Sequence, residues 1–273
     1  MHSLTKLSVL FALVLPATNG LAAQETPVAK PVATATFDQS HKLWSEVLTA
    51  HVKADGFDYK ALKADRAKLD AYVASLEAVK PDDFARWSAK EQFAFWIDAY
   101  NAYTIRRVVD SYPIASIKDL GDDKLSVWDR DLAPLGALAP DLKKAKLTLN
   151  DIENKILRPK FKDARVHAAI NCASQGCPPL RAEALTAEKL DKQLDDQVKH
   201  WLADTTRNRF DKSKGVLELS SIFDWFKDDF IRDAGSVQGW LAQRLPDDAA
   251  WLDPKKKLEV KFLDYSWKLN AAK

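Results

Sequence analysis

From Ser88 to Pro113 the sequence dictates one long helix that the rest of the chain must surround. Ser88-Ala-Lys-Glu91 is a capping box: Ser88 accepts from the amide three residues on, and Glu91 reaches back to the Ser88 amide. The helix it opens runs from Ala89 to Ser111 and is closed by Tyr112-Pro113, since the proline ring forbids continuation. Between those ends Phe93, Phe95, Trp96, Ile97, Tyr100, Tyr103, Ile105, Val108 and Val109 cover nearly the whole circumference. Such a helix is buried on most sides, so other elements must cover it all round. Asp98 and Asn101 lie three residues apart on it, on one face. A buried carboxylate or amide needs a partner or costs on the order of 1–3 kcal/mol. Two roles are open for them. They bond to the backbone of neighbouring loops, or one of them orients a catalytic base.

The second constraint is Arg165-Val-His-Ala-Ala-Ile-Asn-Cys-Ala-Ser-Gln-Gly-Cys-Pro-Pro-Leu180, which holds both cysteines of the chain and one of its five histidines. Val166, Ala168 and Ile170 alternate with His167, Ala169 and Asn171, the period of a short strand. The strand is expected to run into a tight loop, Cys172 to Cys177, stopped by Pro178-Pro179.

The flanking segments read as packing elements. His41 to Val52 is an amphipathic helix with His41 and His51 near its ends, expected at the surface or rim, and Leu62 to Leu76 marks another helix. From Ile114 to Lys146 the chain is irregular, a length that suits a lid or wall of a site. Leu147-Thr-Leu149 reads as a short strand, followed by a helix capped by Asn150 to Glu153 and ended at Pro159. Thr186 caps a helix carrying Leu190, Leu194, Val198, Trp201 and Leu202, with His200 exposed. Arg209-Phe210 and Val216 to Leu219 flank Lys212-Ser-Lys-Gly215 as a hairpin. Ser221 caps an aromatic helix to Phe230, and Ser236 caps another. Leu258, Val260 and Phe262 alternate with charges as a half-buried strand, and Tyr265 to Asn270 alternates again. Arg165–Asn171 is expected to join these strands in a small, mainly antiparallel sheet. The fold class is then α+β: several helices around that sheet in a single domain, residues 37–273.

Several separated runs resemble one family. His167-Ala-Ala-Ile-Asn-Cys-Ala-Ser-Gln-Gly-Cys-Pro-Pro-Leu-Arg181, Phe95-Trp-Ile-Asp-Ala-Tyr-Asn-Ala102, Ile222-Phe-Asp-Trp-Phe-Lys-Asp-Asp-Phe230 and the closing Tyr265-Ser-Trp-Lys-Leu-Asn270 are similar to the domain-of-unknown-function family 547, DUF547, in its order. The resemblance runs from about Phe57 to Asn270. It implies no reaction, because none is established for the family. Glu153 and Arg158 match its acidic and basic positions, whereas Asp98 stands where the family usually has Asn.

Met1 to Ala22 has the layout of a secretory signal: His2 and Lys6, an apolar run from Leu7 to Leu15, then small residues up to a cleavage site after Ala22. Residues 23–36 are Pro-, Ala- and Thr-rich and read as a disordered leader. The protein is therefore expected to be exported, to the periplasm in a Gram-negative cell, with no membrane span in the mature chain. Cleavage removes Lys6 and no acid, leaving 40 of the 41 basic residues against 39 acidic ones. So even a balance, with Lys255-Lys256-Lys257 as the one lysine run, argues against nucleic acid as a partner. A small molecule or peptide is the expected partner. Nine tryptophans imply a heavy aromatic core with rings to spare for a cleft. No cofactor is expected, for no glycine-rich phosphate loop occurs among eight glycines, and no G-x-S-x-G is present. Metal ligation by His167, Cys172, Cys177 and Glu153 lacks the paired short spacings of zinc sites, so no metal is expected.

Three readings of the cysteines stay open. They form a structural disulfide suited to an oxidising compartment, a reversible dithiol, or a thiol nucleophile with His167 as base. On an unbroken strand His167 and Cys172 would sit about 16 Å apart on opposite faces, so the third reading requires a sharp bend. In the enzyme version, a thiol-dependent hydrolase or acyltransferase on peptide or amide substrates, Cys172 is the nucleophile, His167 the base and Asn101 or Asp98 the orienter. Arg165, Glu153, Cys177, Tyr265 and Trp267 are the candidate binding residues. The alternative is a non-catalytic ligand-binding or scaffold module stapled by Cys172–Cys177.

Overall fold

The structure, a computed structural model, describes residues 36–273. The signal segment and all but the last residue of the leader lie outside the described residues. Helix α5 (Ala89–Ser111) is the axis of the described chain. Ser88 Oγ accepts from Glu91 N at 3.2 Å and Glu91 Oε2 from Ser88 N at 2.6 Å, so the expected capping box is complete. Around α5 pack α1 (Lys42–His51), α2 (Tyr59–Ala64), α3 (Ala67–Glu77) and α4 (Pro81–Ala85), with a short β1 (Val52–Lys53) and β2 (Gly56–Phe57) hairpin between the first two helices. Trp44, Leu62, Leu69, Val73, Leu76, Phe95, Trp96 and Ile97 are completely or almost completely buried together. Each such side chain contributes roughly 1.5–3 kcal/mol of transfer free energy.

The 114–146 segment is irregular as expected, built of short 3₁₀ turns. At its end Thr148 Oγ1 accepts from Asp151 N at 3.0 Å and Asp151 Oδ2 from Thr148 N at 3.1 Å. This reciprocal pair opens a π-helix, Asp151–Phe161, which continues through Pro159 rather than ending there. Because Thr148 and Asp151 do the capping, Glu153 is released from that role. Leu147–Leu149 forms no strand of its own, only an isolated bridge from Leu147 to Ala133.

A second apolar cluster holds the rest: α6 (Val166–Ala169), α7 (Leu190–Ala203), α8 (Ile222–Trp225), α9 (Lys227–Ala234) and α10 (Val237–Arg244), with Trp201 stacked on Phe223 at 4.6 Å. Strands β3 (Arg209–Asp211) and β4 (Val216–Ser220) make the expected hairpin, and β5 (Glu259–Leu263) joins β4 in parallel register. The fold is α+β, with two of its three ladders antiparallel.

Several expectations change. Leu62–Leu76 spans two helices, α2 and α3, rather than one, the N-cap of α7 is Lys189 and not Thr186, and Tyr265–Asn270 forms no strand. Arg165–Asn171 is not a strand. Its amides bond backwards, Val166 N to Asp163 O, His167 N to Ala164 O and Ile170 N to Val166 O, giving one helical turn, for which Ala168 and Ala169 are well suited. β5 is an edge strand exposed on both faces, and Val260 and Phe262 are each 41% exposed rather than half-buried inside. The helix after Ser221 breaks at Phe226, and Ser221 Oγ donates to Leu263 O instead of capping. His41 is buried, 1% exposed, its Nδ1 2.7 Å from Tyr72 Oη and 3.3 Å from Asp98; burial lowers its pKa to about 4.

Candidate functional site

The cysteine loop is held from two sides. On the helix side Asn101 Oδ1 accepts from Asn171 N at 2.8 Å and Asn101 Nδ2 donates to Ala169 O at 2.9 Å, so one amide satisfies both groups of an extended backbone step. Asn171 then braces the loop itself: its Nδ2 donates to Pro178 O and its Oδ1 accepts from Ala173 N, each at 2.8 Å. Ala173 takes a left-handed φ of 61°, which reverses the chain just after Cys172. On the other side the closing segment lies along the loop, Gln175 N donating to Lys268 O, Gly176 N to Ser266 O and Asn270 N to Ala173 O. A Cβ at residue 176 would meet the Tyr265 ring at 2.8 Å, so glycine there lets the ring lie on the loop. Tyr265 Oη consequently sits 3.1 Å from both Cys172 Sγ and Cys177 Sγ and 2.9 Å from Ser174 Oγ. Cys172 and Cys177 form a disulfide across this loop, with Cα atoms 6.3 Å apart. Cys177 is buried and Cys172 half-buried.

His167 enters from α6. Its ring stacks on Phe226 at 4.2 Å and its Nε2 lies 2.8 Å from Asp229 Oδ2. Asp229 also accepts from Arg158 Nε at 2.6 Å and from Arg232 Nη1 at 2.8 Å. Burial works to raise the Asp229 carboxyl, but the bonds from His167 and Arg158 outweigh it and hold it far below the usual range. Burial lowers His167, against the pull of Asp229. A carboxylate can only accept, so Nε2 carries the proton of the neutral imidazole and Nδ1 keeps a free lone pair.

His167, Cys172, Cys177, Glu153, Tyr265 and Trp267 line one cavity of about 180 Å³, together with Tyr100, Trp128, Asn150, Asn154, Ile170, Pro178, Ile222, Trp225 and Phe226. The rings of Trp225, Tyr265 and Trp267 pack on one another with centroids 4.6–5.8 Å apart. Glu153 is 7% exposed, accepts from Tyr100 Oη at 3.2 Å, and is raised to about 7, chiefly by burial.

Other candidates stand elsewhere. Asp98 accepts from Trp44 Nε1 and Leu185 N, and Asn101 grips the backbone at 169–171; neither bonds His167. Arg165 pairs with Asp163, Asp191 and Asp195, tying α6 to α7 outside the cavity wall. The residue that orients His167 is Asp229, which sequence reasoning missed although it lies inside the Ile222–Phe230 run. Its signal was an acid set between two aromatic residues, Phe226 and Phe230. Among the described residues no group of three or more His, Cys, Asp or Glu is placed to hold a metal ion.

The fold and site define an α+β protein with an aromatic cavity that brings a His–Asp pair up to a cysteine loop. Residues 84–202 match the family described as "Protein of unknown function, DUF547". The matched stretch contains α5, the π-helix, α6 and the cysteine loop, and ends before Asp229 and Tyr265. No curated protein and no solved structure matches the chain. No helix among the described residues is long and apolar enough to cross a membrane.

Proposed function

We propose that the cavity is the site of thiol-dependent acyl chemistry, a hydrolase or acyltransferase acting on peptide or amide substrates, in an exported protein. The observation that carries this reading is that a neutral His167, fixed through Nε2 by Asp229, lines the same cavity as both cysteines. Cys172 is the nucleophile because it is the less buried of the two residues. The disulfide form is the resting form. A dithiol reductant of the compartment opens it by exchange, leaving two thiols and its own disulfide. His167 Nδ1 then takes the Cys172 proton, the thiolate attacks the acyl carbonyl, the C–N bond breaks, and the amine leaves with the proton from His167. Water or a second amine resolves the thioester. Tyr265 Oη, within hydrogen-bonding distance of the sulfur, can donate to the thiolate.

A second reading is favoured by the disulfide itself. If the bond is permanent, neither sulfur reacts and the aromatic cavity binds a ligand without chemistry. The test is hydrolysis of an activated acyl ester by the oxidised protein, the reduced protein and the reduced Cys172→Ser variant. Activity confined to the reduced wild type supports the enzyme. Equal rates in all three rule it out.

A further inference from the structure

Glu153 is a buried carboxyl without a counter-ion. Its hydrogen bond comes from the neutral Tyr100 hydroxyl, and among the described residues it makes no ion pair. The one cation that acts on it, Arg158, is committed elsewhere, bonding Asp229 and Asn154. Burying a carboxylate without compensation is costly, and that cost is what raises this one to about 7. Around it the cavity presents tryptophan and tyrosine rings, whose faces attract cations. The same aromatic wall already does so on another side, where Lys118 Nζ stands 4.1 Å from the Trp267 ring centroid.

We propose that this cavity takes the cationic head of a small ligand, an amine or alkylammonium group, seated between the Glu153 carboxylate and the rings of Tyr100, Trp128, Trp225 and Trp267. The group supplies the positive charge that Glu153 lacks, and the rings replace its hydration. An anion is disfavoured, since it would face the Glu153 carboxylate while Arg158 is already engaged by Asp229 and Asn154. At about 180 Å³ the space matches a single six-membered ring with a short substituent, being slightly larger than an engineered cavity of ~150 Å³ that admits benzene. The proposal rests on the cavity being the ligand site. It does not rest on either sulfur reacting. In the acyltransferase reading, the cation is the amine of a substrate.

The experiment is calorimetric titration of the full chain at pH 8 with benzylamine, benzyl alcohol and benzoate. It is repeated with Glu153→Gln and with a Cys172→Ser/Cys177→Ser double variant. Benzylamine should bind at least about tenfold more tightly than benzyl alcohol, with benzoate weakest, a ratio in the range of a cation–aromatic contact plus one charge pair. Glu153→Gln should erase the preference while leaving the benzyl alcohol affinity in place, and the double cysteine variant should keep it. Equal affinity for amine and alcohol, tightest binding of benzoate, a preference that survives Glu153→Gln, or no binding of any probe each overturns the proposal. Because the double variant has no thiol, failure of the acyl chemistry leaves the titration readable, and failure of the titration leaves the ester assay readable.

Discussion

Asp229 and His167 meet at 2.8 Å across 62 positions of sequence, joining α9 to the turn that precedes the cysteine loop. The carboxylate also receives both guanidiniums of Arg158 and Arg232, so it neutralises a half-buried positive cluster as well as fixing the imidazole. Asp229→Ala takes the acceptor from the buried His167 and the ion-pair partner from Arg158, while Arg232 keeps Asp233, and should cost on the order of 2–3 kcal/mol in denaturant unfolding. Asp229→Asn keeps the shape but presents a donor, so it should retain more of the stability than alanine does while lowering thiol-dependent activity by at least ~100-fold. Equal stability of wild type and Asp229→Ala would contradict the cluster.

Asn101 is a clamp on backbone. Its replacement by alanine orphans Asn171 N and Ala169 O, and should cost on the order of 2–3 kcal/mol. Faster hydrogen exchange at Asn171 and through the cysteine loop, with the far end of α5 unchanged, is the expected signature.

Glu153 makes stability fall as pH rises. Its folded pKa, about 7, lies above the unfolded value of 4.5, so between those pH values the folded state holds a proton the unfolded state has released. The loss begins above about pH 4.5 and is complete above about pH 7, with a size on the order of 3 kcal/mol. Glu153→Gln should match wild type near pH 4 and exceed it near pH 8. Parallel stability profiles for the two proteins would remove the unpaired carboxyl from the account.

The cysteine bond closes a loop of five residue steps, and chain entropy assigns such a loop about 2 kcal/mol. Reduction followed by alkylation of both thiols should lower the thermal midpoint without abolishing folding, because the loop is also held by Asn171 and the closing segment. Global unfolding on reduction would contradict this.

Much of the frame was legible in the sequence. Ser88, Glu91 and Pro113 mark the ends of α5 through local rules that tertiary packing does not override, and the 209–220 hairpin announces itself through its turn. The chemistry was harder to read. Five alternating residues at 166–170 are compatible with a strand or a turn, and only the Asp163 and Ala164 carbonyls decide it. Asn101 and Asp98 were legible as buried polar groups needing partners, but their partners are distant backbone and the Trp44 indole. His167, Tyr265 and Glu153 reach the cavity from three separate segments, with Asp229 behind His167, and no spacing in a linear chain records that convergence.

The most direct measurement is the alkylation rate of Cys172 in the reduced protein as a function of pH, read by mass after proteolysis. The account predicts a midpoint below the ordinary thiol value of about 8.5, moving upward in Tyr265→Phe and in His167→Gln. A midpoint at or above that value, unmoved by either substitution, would contradict the thiol site and leave a stapled ligand-binding cavity in its place.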